Sequence, residues 1–251
     1  MTSLYDTPAY YDILFGWDRD REAASYDAIF RDRVSPDRRA RIVEMGAGTG
    51  QIAIRLARLG WPITALDVSP AMLAFAAATA AGVPLDTLCV DMRDFTVAER
   101  FDAALCPLGT FAMLPDDASA VAHLRAAAAA LAPGAPYVLD LTLTESPGEP
   151  ASPGDSWSMQ RDGVEVQASP QEIVVIDPEL PAPLALTWGP PLHEYDPRGL
   201  TELVARAGGF RVVGHHPEAG TVGDEDVSVF DETCRPGLPP NRGLIVLQRL
   251  A

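Results

Sequence analysis

Short apolar runs alternate with helix-period stretches through the first half of the chain. Arg41–Met45 is a strand-like run that ends at glycines, and Gln51–Leu59 follows with helical spacing. Ile63–Leu66 repeats the strand pattern and stops at Asp67, after which Ser69 stands as the cap and Pro70 as the first-turn residue of another helix. Leu88–Val90 closes a third strand at Asp91, and Phe101–Leu105 supplies a fourth. A long helix over Asp117–Leu131 precedes a fifth strand, Tyr137–Leu141. The strand runs lack polar alternation and are separated by helices, which predicts a mainly parallel sheet covered on both faces.

The pattern then changes. Residues 144–155 are rich in Pro, Gly, Ser and Glu and read as an exposed connector. Ser156–Gln160, Val164–Ala168, Gln171–Ile176 and Leu184–Trp188 have strand-like composition, and Asp162-Gly163 is a hairpin signal. An antiparallel insertion after the fifth strand accounts for them. Core patterning resumes with a helix over Pro197–Ala207, a Gly208-Gly209 stop, and strands Phe210–Gly214 and Leu244–Gln248. The first 39 residues are charged and aromatic and predict one or two helices lying over something. The chain thus divides into a helical cap at 1–39, an α/β core at 40–142, an insertion at 143–196 and a completion of the sheet at 197–251. The stretch 216–242 is poorly periodic, and its structure is left open.

A length of 251 residues with 47% apolar residues suits one core enlarged by an insertion. Lys plus Arg number 19 against 35 Asp plus Glu, a formal charge of -16, so a polyphosphate partner meets net repulsion and nucleic-acid binding is not expected. Cys89, Cys106 and Cys234 are too few and scattered for a disulfide framework, and no cluster has metal-site spacing. Asp6, Asp12, Asp18 and Asp20 are wrong for a secretory or transit segment, and no apolar run reaches membrane-spanning length. A cytoplasmic protein with no membrane partner is the expectation.

The chemistry concentrates in Val43-Glu44-Met45-Gly46-Ala47-Gly48-Thr49-Gly50, between a strand and a helix. Glycines there let the backbone approach a ligand, although a purely structural turn could use them too. A dinucleotide fingerprint needs its third glycine at position 51, which is Gln. The glycine at 50 favours a ligand without a dinucleotide pyrophosphate. Asp67 ends the next strand, where a carboxylate can accept both ribose hydroxyls, and Asp91 ends the third, where it can accept from an adenine amine. Either could instead be an exposed strand-end cap; their joint position on successive strand ends points to a nucleoside.

With Glu44, Gly46, Gly48 and Gly50, the segments Asp67-Val68-Ser69-Pro70-Ala71-Met72-Leu73, Cys89-Val90-Asp91-Met92-Arg93 and Phe101-Asp102-Ala103-Ala104-Leu105-Cys106 resemble the class I S-adenosyl-L-methionine (SAM) dependent methyltransferases. The likeness covers roughly 40–142. It implies a doubly wound, Rossmann-like seven-stranded sheet of order 3-2-1-4-5-7-6, with the seventh strand antiparallel, and S-adenosyl-L-homocysteine as product. It further implies that Gly46, Ala47, Gly48 and Gly50 pass beneath the methionine part of SAM, with Glu44 supporting that loop. Asp67 and Val68 would serve the ribose side, Met72, Asp91 and Met92 the adenine, and Cys106 would close the fourth strand beside them. Tyr10-Tyr11-Asp12 is similar to the N-terminal helix that closes over SAM in related small-molecule enzymes, with Tyr11 lining the cofactor. Cys106-Pro107-Leu108-Gly109-Thr110 departs from the Asp-Pro-Pro-Tyr motif of enzymes that methylate bases.

In-line methyl transfer needs positioning and desolvation, not a protein nucleophile. His193 and Tyr195 stand where the insertion rejoins the core and are the candidate catalytic pair, although Pro190-Pro191 and Asp196-Pro197 also suit a rigid connector. The insertion, with Trp157 and Trp188, is expected to line the acceptor pocket or a dimer surface beside it, which keeps a homodimer open. The acceptor is expected to be a nitrogen of a small metabolite. A hydroxyl or carboxylate oxygen is the alternative, and a noncatalytic SAM-binding protein a second.

Overall fold

The computed structural model describes residues 2–144, 156–216 and 242–251. The expected connector and most of the 216–242 stretch, with Cys234, lie outside the described residues.

A 3-10 turn (Leu4–Asp6) leads into α1 (Pro8–Leu14) and α2 (Asp20–Arg33). The core then runs β1 (Ile42–Met45), α3 (Gln51–Arg58), β2 (Ile63–Asp67), α4 (Pro70–Thr79), β3 (Asp86–Cys89), β4 (Ala103–Cys106), a second 3-10 turn (Thr110–Met113), α5 (Asp117–Ala130) and β5 (Pro136–Thr142). The insertion carries β6 (Trp157–Arg161), β7 (Val164–Ala168), β8 (Ile173–Ile176) and β9 (Leu184–Leu186), and the chain closes with α6 (Pro197–Ala207), β10 (Phe210–His216) and β11 (Arg242–Arg249). The main sheet has the order β3-β2-β1-β4-β5-β11-β10. β1 to β5 are parallel to one another, and β11 is antiparallel to both β5 and β10. Counted within this sheet alone the order is 3-2-1-4-5-7-6, as the resemblance implies.

Successive strand residues feed opposite faces. Ile42, Ile63, Leu105 and Val138 meet Tyr26, Ile29 and Phe30 of α2 and Ile52 and Leu56 of α3. Val43, Met45 and Leu139 meet Leu124 of α5 and Leu200 and Leu203 of α6. Each such fully buried side chain contributes roughly 1.5–3 kcal/mol by leaving water. Two of the strand ends that differ from expectation have local causes. The third strand is an edge strand that pairs only with β2 and stops at Cys89, where Asp67 ends its partner. The fourth begins later, because Phe101 donates its N–H to Ala130 and bridges to Leu131 instead.

The insertion is a separate antiparallel sheet of order β6-β7-β8-β9, and its first turn has φ of 52° at Asp162 and 84° at Gly163. Its inner face, Val166, Ile173, Val175 and Leu186, is covered by Leu4, Ile13 and Leu14 from the N-terminal segment. The N-terminal segment therefore serves two sheets, α1 on the insertion and α2 on the core.

Candidate functional site

The loop after β1 is anchored where Gly46 and Ala47 both donate N–H to the Leu66 carbonyl, at 2.8 and 2.9 Å. Gly46, Gly48 and Gly50 have φ of 71°, 54° and 74°, a region L side chains rarely adopt. Their neighbours separate their roles. A Cβ on Gly46 would lie 2.2 Å from Thr110 Cγ2, and one on Gly50 2.9 Å from Ala76 Cβ, so these two glycines allow close packing. A Cβ on Gly48 meets only Tyr11 Cε1, at 3.9 Å, and would project into open space.

That space is a cavity of about 420 Å³ at the carboxyl edge of the parallel strands. Asp67, at the end of β2, accepts from Gly48 N–H on Oδ2 and from Ser69 N–H on Oδ1, both at 2.8 Å. Each carboxylate oxygen keeps a second lone pair, so two hydroxyls can still be received. Ser69 in turn accepts from Met72 N–H at 3.3 Å and caps α4, which brings Met72 to the same cavity. Val68 lines it with 69% of its surface exposed, an apolar face suited to a flat ring. Asp91 lines it too, but its carboxylate accepts a forked pair of bonds from Arg93, Nη2 to Oδ2 at 2.6 Å. The Arg93 guanidinium holds the Asp91 carboxyl below its ordinary range.

Glu44 lies on β1, two residues before the loop, and is 2% exposed. Its Oε2 and the Thr49 hydroxyl are buried without a hydrogen-bond partner among the described residues. Burial raises the Glu44 carboxyl to about 8, against a backbone N–H from Ala53 that lowers it. An orphaned acid and hydroxyl beside a glycine loop suit the charged amino-acid end of SAM. Tyr11 closes the loop from above, its ring tilted against Tyr5 and Phe15. α1 is held there by Asp12, which accepts from Gln51 Nε2 at 2.8 Å and from Arg161 Nη1 at 2.6 Å, while Gln51 Oε1 accepts from Arg19 Nε at 2.6 Å.

Of the residues expected at the site, Tyr11, Gly46, Gly48, Asp67, Val68, Met72, Asp91 and Met92 line this one cavity. Glu44, Ala47 and Gly50 belong to the strand and loop that form its floor, and Cys106 is buried in the core behind it. His193 and Tyr195 are not among the lining residues. His193 gives its N–H to the Ala112 carbonyl at 2.6 Å, and its ring lies 3.5 Å from Asp117 and 35% exposed. Tyr195 bridges to Leu143, packs on Phe111 and is 3% exposed. Both residues therefore stand outside the wall of this cavity, in contrast to the expectation that they line the acceptor site. Ser3, Tyr5, Asp6, Met113, Pro115 and Pro190 line the cavity instead and were not expected there. The two straps that bring several of them together pair as backbone: Leu4 N–H donates to Thr187 O at 3.0 Å and Thr187 N–H to Thr2 O at 3.1 Å. Among the described residues no His, Cys, Asp and Glu group is arranged to hold a metal ion, and no helix is long and apolar enough to cross a membrane.

A 3-2-1-4-5-7-6 sheet with a glycine loop, strand-end acids and an apolar cleft at its carboxyl edge is the fold that the resemblance to class I SAM-dependent methyltransferases implies, and SAM is a cofactor these residues fit. Residues 42–134 match the family model described as a methyltransferase domain. Over 112 residues it is 32% identical to a ubiquinone biosynthesis O-methyltransferase of Xanthomonas axonopodis pv. citri, covering 43% of this chain and 45% of the relative. The chain spans less than half the length of the curated relatives it matches. Among solved structures it is similar to a SAM-bound amino pentose methyltransferase of Micromonospora echinaspora (24% identity, 94% of this chain and 93% of the other, TM-score 0.65). It is also similar to a sugar N-methyltransferase of Streptoalloteichus sp. (22% identity, 100% and 94%, TM-score 0.67). At these identities the structures bear on the fold.

Proposed function

We propose that the chain transfers a methyl group from SAM to a nitrogen of a small metabolite. The observation that carries this is the single cavity in which the glycine loop and the strand-end acids run on into a second wall, built from the N-terminal strap and residues 113–115 and 189–190. Among the described residues that wall has a carboxylate, Asp6, and no cation, and the one guanidinium lining the cavity, Arg93, is engaged by Asp91. An acceptor carrying an amine suits such a wall better than one carrying a carboxylate or phosphate. The amino pentose and sugar N-methyltransferases named above support the same choice by architecture.

When bound, SAM supplies an electrophilic methyl group on a sulfonium. Gly48 leaves room for the cofactor's backbone-facing side, Asp67 receives the ribose hydroxyls, and Val68, Met72, Asp91 and Met92 bound the adenine. Glu44, Gly46, Ala47 and Gly50 form the support of the methionine end, and Tyr11 covers it. Aromatic and proline side chains around the cavity keep water from the acceptor, and orientation rather than covalent help carries the rate. An oxygen acceptor is the second reading, favoured by the 32%-identical O-methyltransferase relative.

Incubation with methyl-labelled SAM and a panel of amines, alcohols and carboxylic acids, followed by product mass and location of the label, tests both. Label on nitrogen with stoichiometric S-adenosylhomocysteine is the expected result. Label on oxygen would select the second reading, and tight SAM binding without transfer across the panel would reduce the chain to a binding protein.

A further inference from the structure

We propose that His123 is a positioning residue for the adenine end of the cavity, acting by donating its Nδ1–H to the Met92 carbonyl. The proposal rests on the reading that Asp91 and Met92 face adenine.

His123 projects from the buried side of α5 and is 0% exposed. Its Nδ1 lies 3.0 Å from Met92 O, and its Nε2 lies 2.5 Å from the Tyr137 hydroxyl. A carbonyl only accepts, so Nδ1 must carry the hydrogen and Nε2 is left bare. Tyr137 O–H therefore donates to Nε2. The chain of bonds runs in one direction, from β5 through α5 into the loop after β3. Burial lowers His123 to about 4 and raises both the Tyr137 hydroxyl and the Cys106 thiol, so all three stay neutral together.

The endpoint of this chain matters more than its interior. Met92 C=O and Arg93 N–H belong to one rigid peptide plane. Arg93 N–H donates to Asp91 Oδ1 at 2.8 Å. Fixing the carbonyl from behind therefore fixes where the amide points, and the amide holds the Asp91 carboxylate at the cavity wall. An apolar side chain would fill the space behind the loop without risking an unpaired buried group. His123 and Tyr137 instead deliver one oriented bond to the segment that reads the base.

The test compares binding of S-adenosylhomocysteine with binding of its deaminated analogue, in which the exocyclic amine is an oxygen, by calorimetry. Asn at 123 can put an N–H near the Nδ1 position, whereas Gln reaches toward the Nε2 position. His123→Asn and Tyr137→Phe should keep the wild-type discrimination even though both melt at lower temperature. His123→Gln should bind S-adenosylhomocysteine about tenfold more weakly and lose the discrimination. If folded His123→Gln still discriminates, or if His123→Asn fails as badly, His123 is core filling and the proposal is overturned. Should His123→Gln not fold, the tautomer in the wild-type chain decides, read from the spectrum of isotope-labelled histidine. Hydrogen on Nδ1 supports the proposal, and hydrogen on Nε2 overturns it. A wild type that does not discriminate at all would overturn the adenine reading itself, an outcome distinct from the variants' failure.

Discussion

Replacing Glu44 by Gln should relieve the fold of a pH-dependent cost. Burial of this β1 carboxyl, with Oε2 unpartnered, raises it from 4.5 to about 8. In the unfolded chain the same group titrates at its ordinary value, about 4.3. Between those values the folded state holds a proton that the unfolded state has released, so stability falls as pH rises through the window. The displacement corresponds to about 5 kcal/mol in all, lost at up to about 1.4 kcal/mol per pH unit. Gln is neutral at every pH and can still accept the Ala53 N–H. The stability of Glu44→Gln relative to wild type should therefore climb from roughly pH 5 and level off near pH 9, several kcal/mol in the variant's favour. Urea unfolding of both proteins across that range, fitted with shared slopes, measures the difference. A difference that stays level with pH would refute the reasoning, because Glu44 would then carry no excess proton in the folded chain.

The remaining predictions concern the cavity. Gly48→Val should abolish measurable SAM binding by calorimetry while leaving secondary structure intact, since a side chain there enters the cavity. Asp67→Ala should weaken SAM binding by roughly 1–3 kcal/mol and shrink discrimination against a 2′-deoxy cofactor, because an acceptor for two hydroxyls is lost. Gly189→Ala would bring a Cβ within 2.5 Å of Tyr5 Cε2, so methyl transfer should fall while SAM affinity stays within about twofold by calorimetry. Tyr195→Phe removes a buried hydroxyl without a partner among the described residues; it should keep full transfer activity and gain up to about 1 kcal/mol of stability in thermal melts.

Most of the core was legible because its determinants are local. Ser69 followed by Pro70 marks a helix start, and Ser69 does accept from Met72 N–H. The Asp162-Gly163 pair marks a hairpin, and both residues adopt the positive φ that the turn needs. The runs of β1, β4 and β5, mostly apolar and without polar alternation, announce strands buried on both faces. β3 ends at Cys89, one residue before the expected Val90, because an edge strand with exposed side chains carries a weak pattern. The residues that line the cavity were legible for a related reason. In a parallel sheet the ends of β1, β2 and β3 converge on one edge, so residues at successive strand ends meet wherever the connections run.

The acceptor wall had no such rule behind it. His193 and Tyr195 attracted attention as polar aromatic residues beside prolines, yet what decides their direction is pairing with distant backbone. Ala112 O captures the His193 N–H, and the Leu143 bridge carries Tyr195 into the core against Phe111. The same physics works in reverse for Ser3, Tyr5 and Asp6. They enter the wall because the N-terminal strap pairs with Thr187, about 180 residues further along the chain, and no periodicity registers a contact of that separation. The one local trace was the density of aromatic residues before residue 39, with Tyr5, Tyr11 and Phe15 now packed ring against ring over the glycine loop. Cofactor recognition thus rests on residues whose convergence the sheet guarantees, whereas the acceptor wall depends on how the chain's start and the insertion's exit happen to pair. Changes in those two segments can remodel the acceptor wall while the glycine loop, Asp67 and Asp91 keep the same positions on the sheet edge.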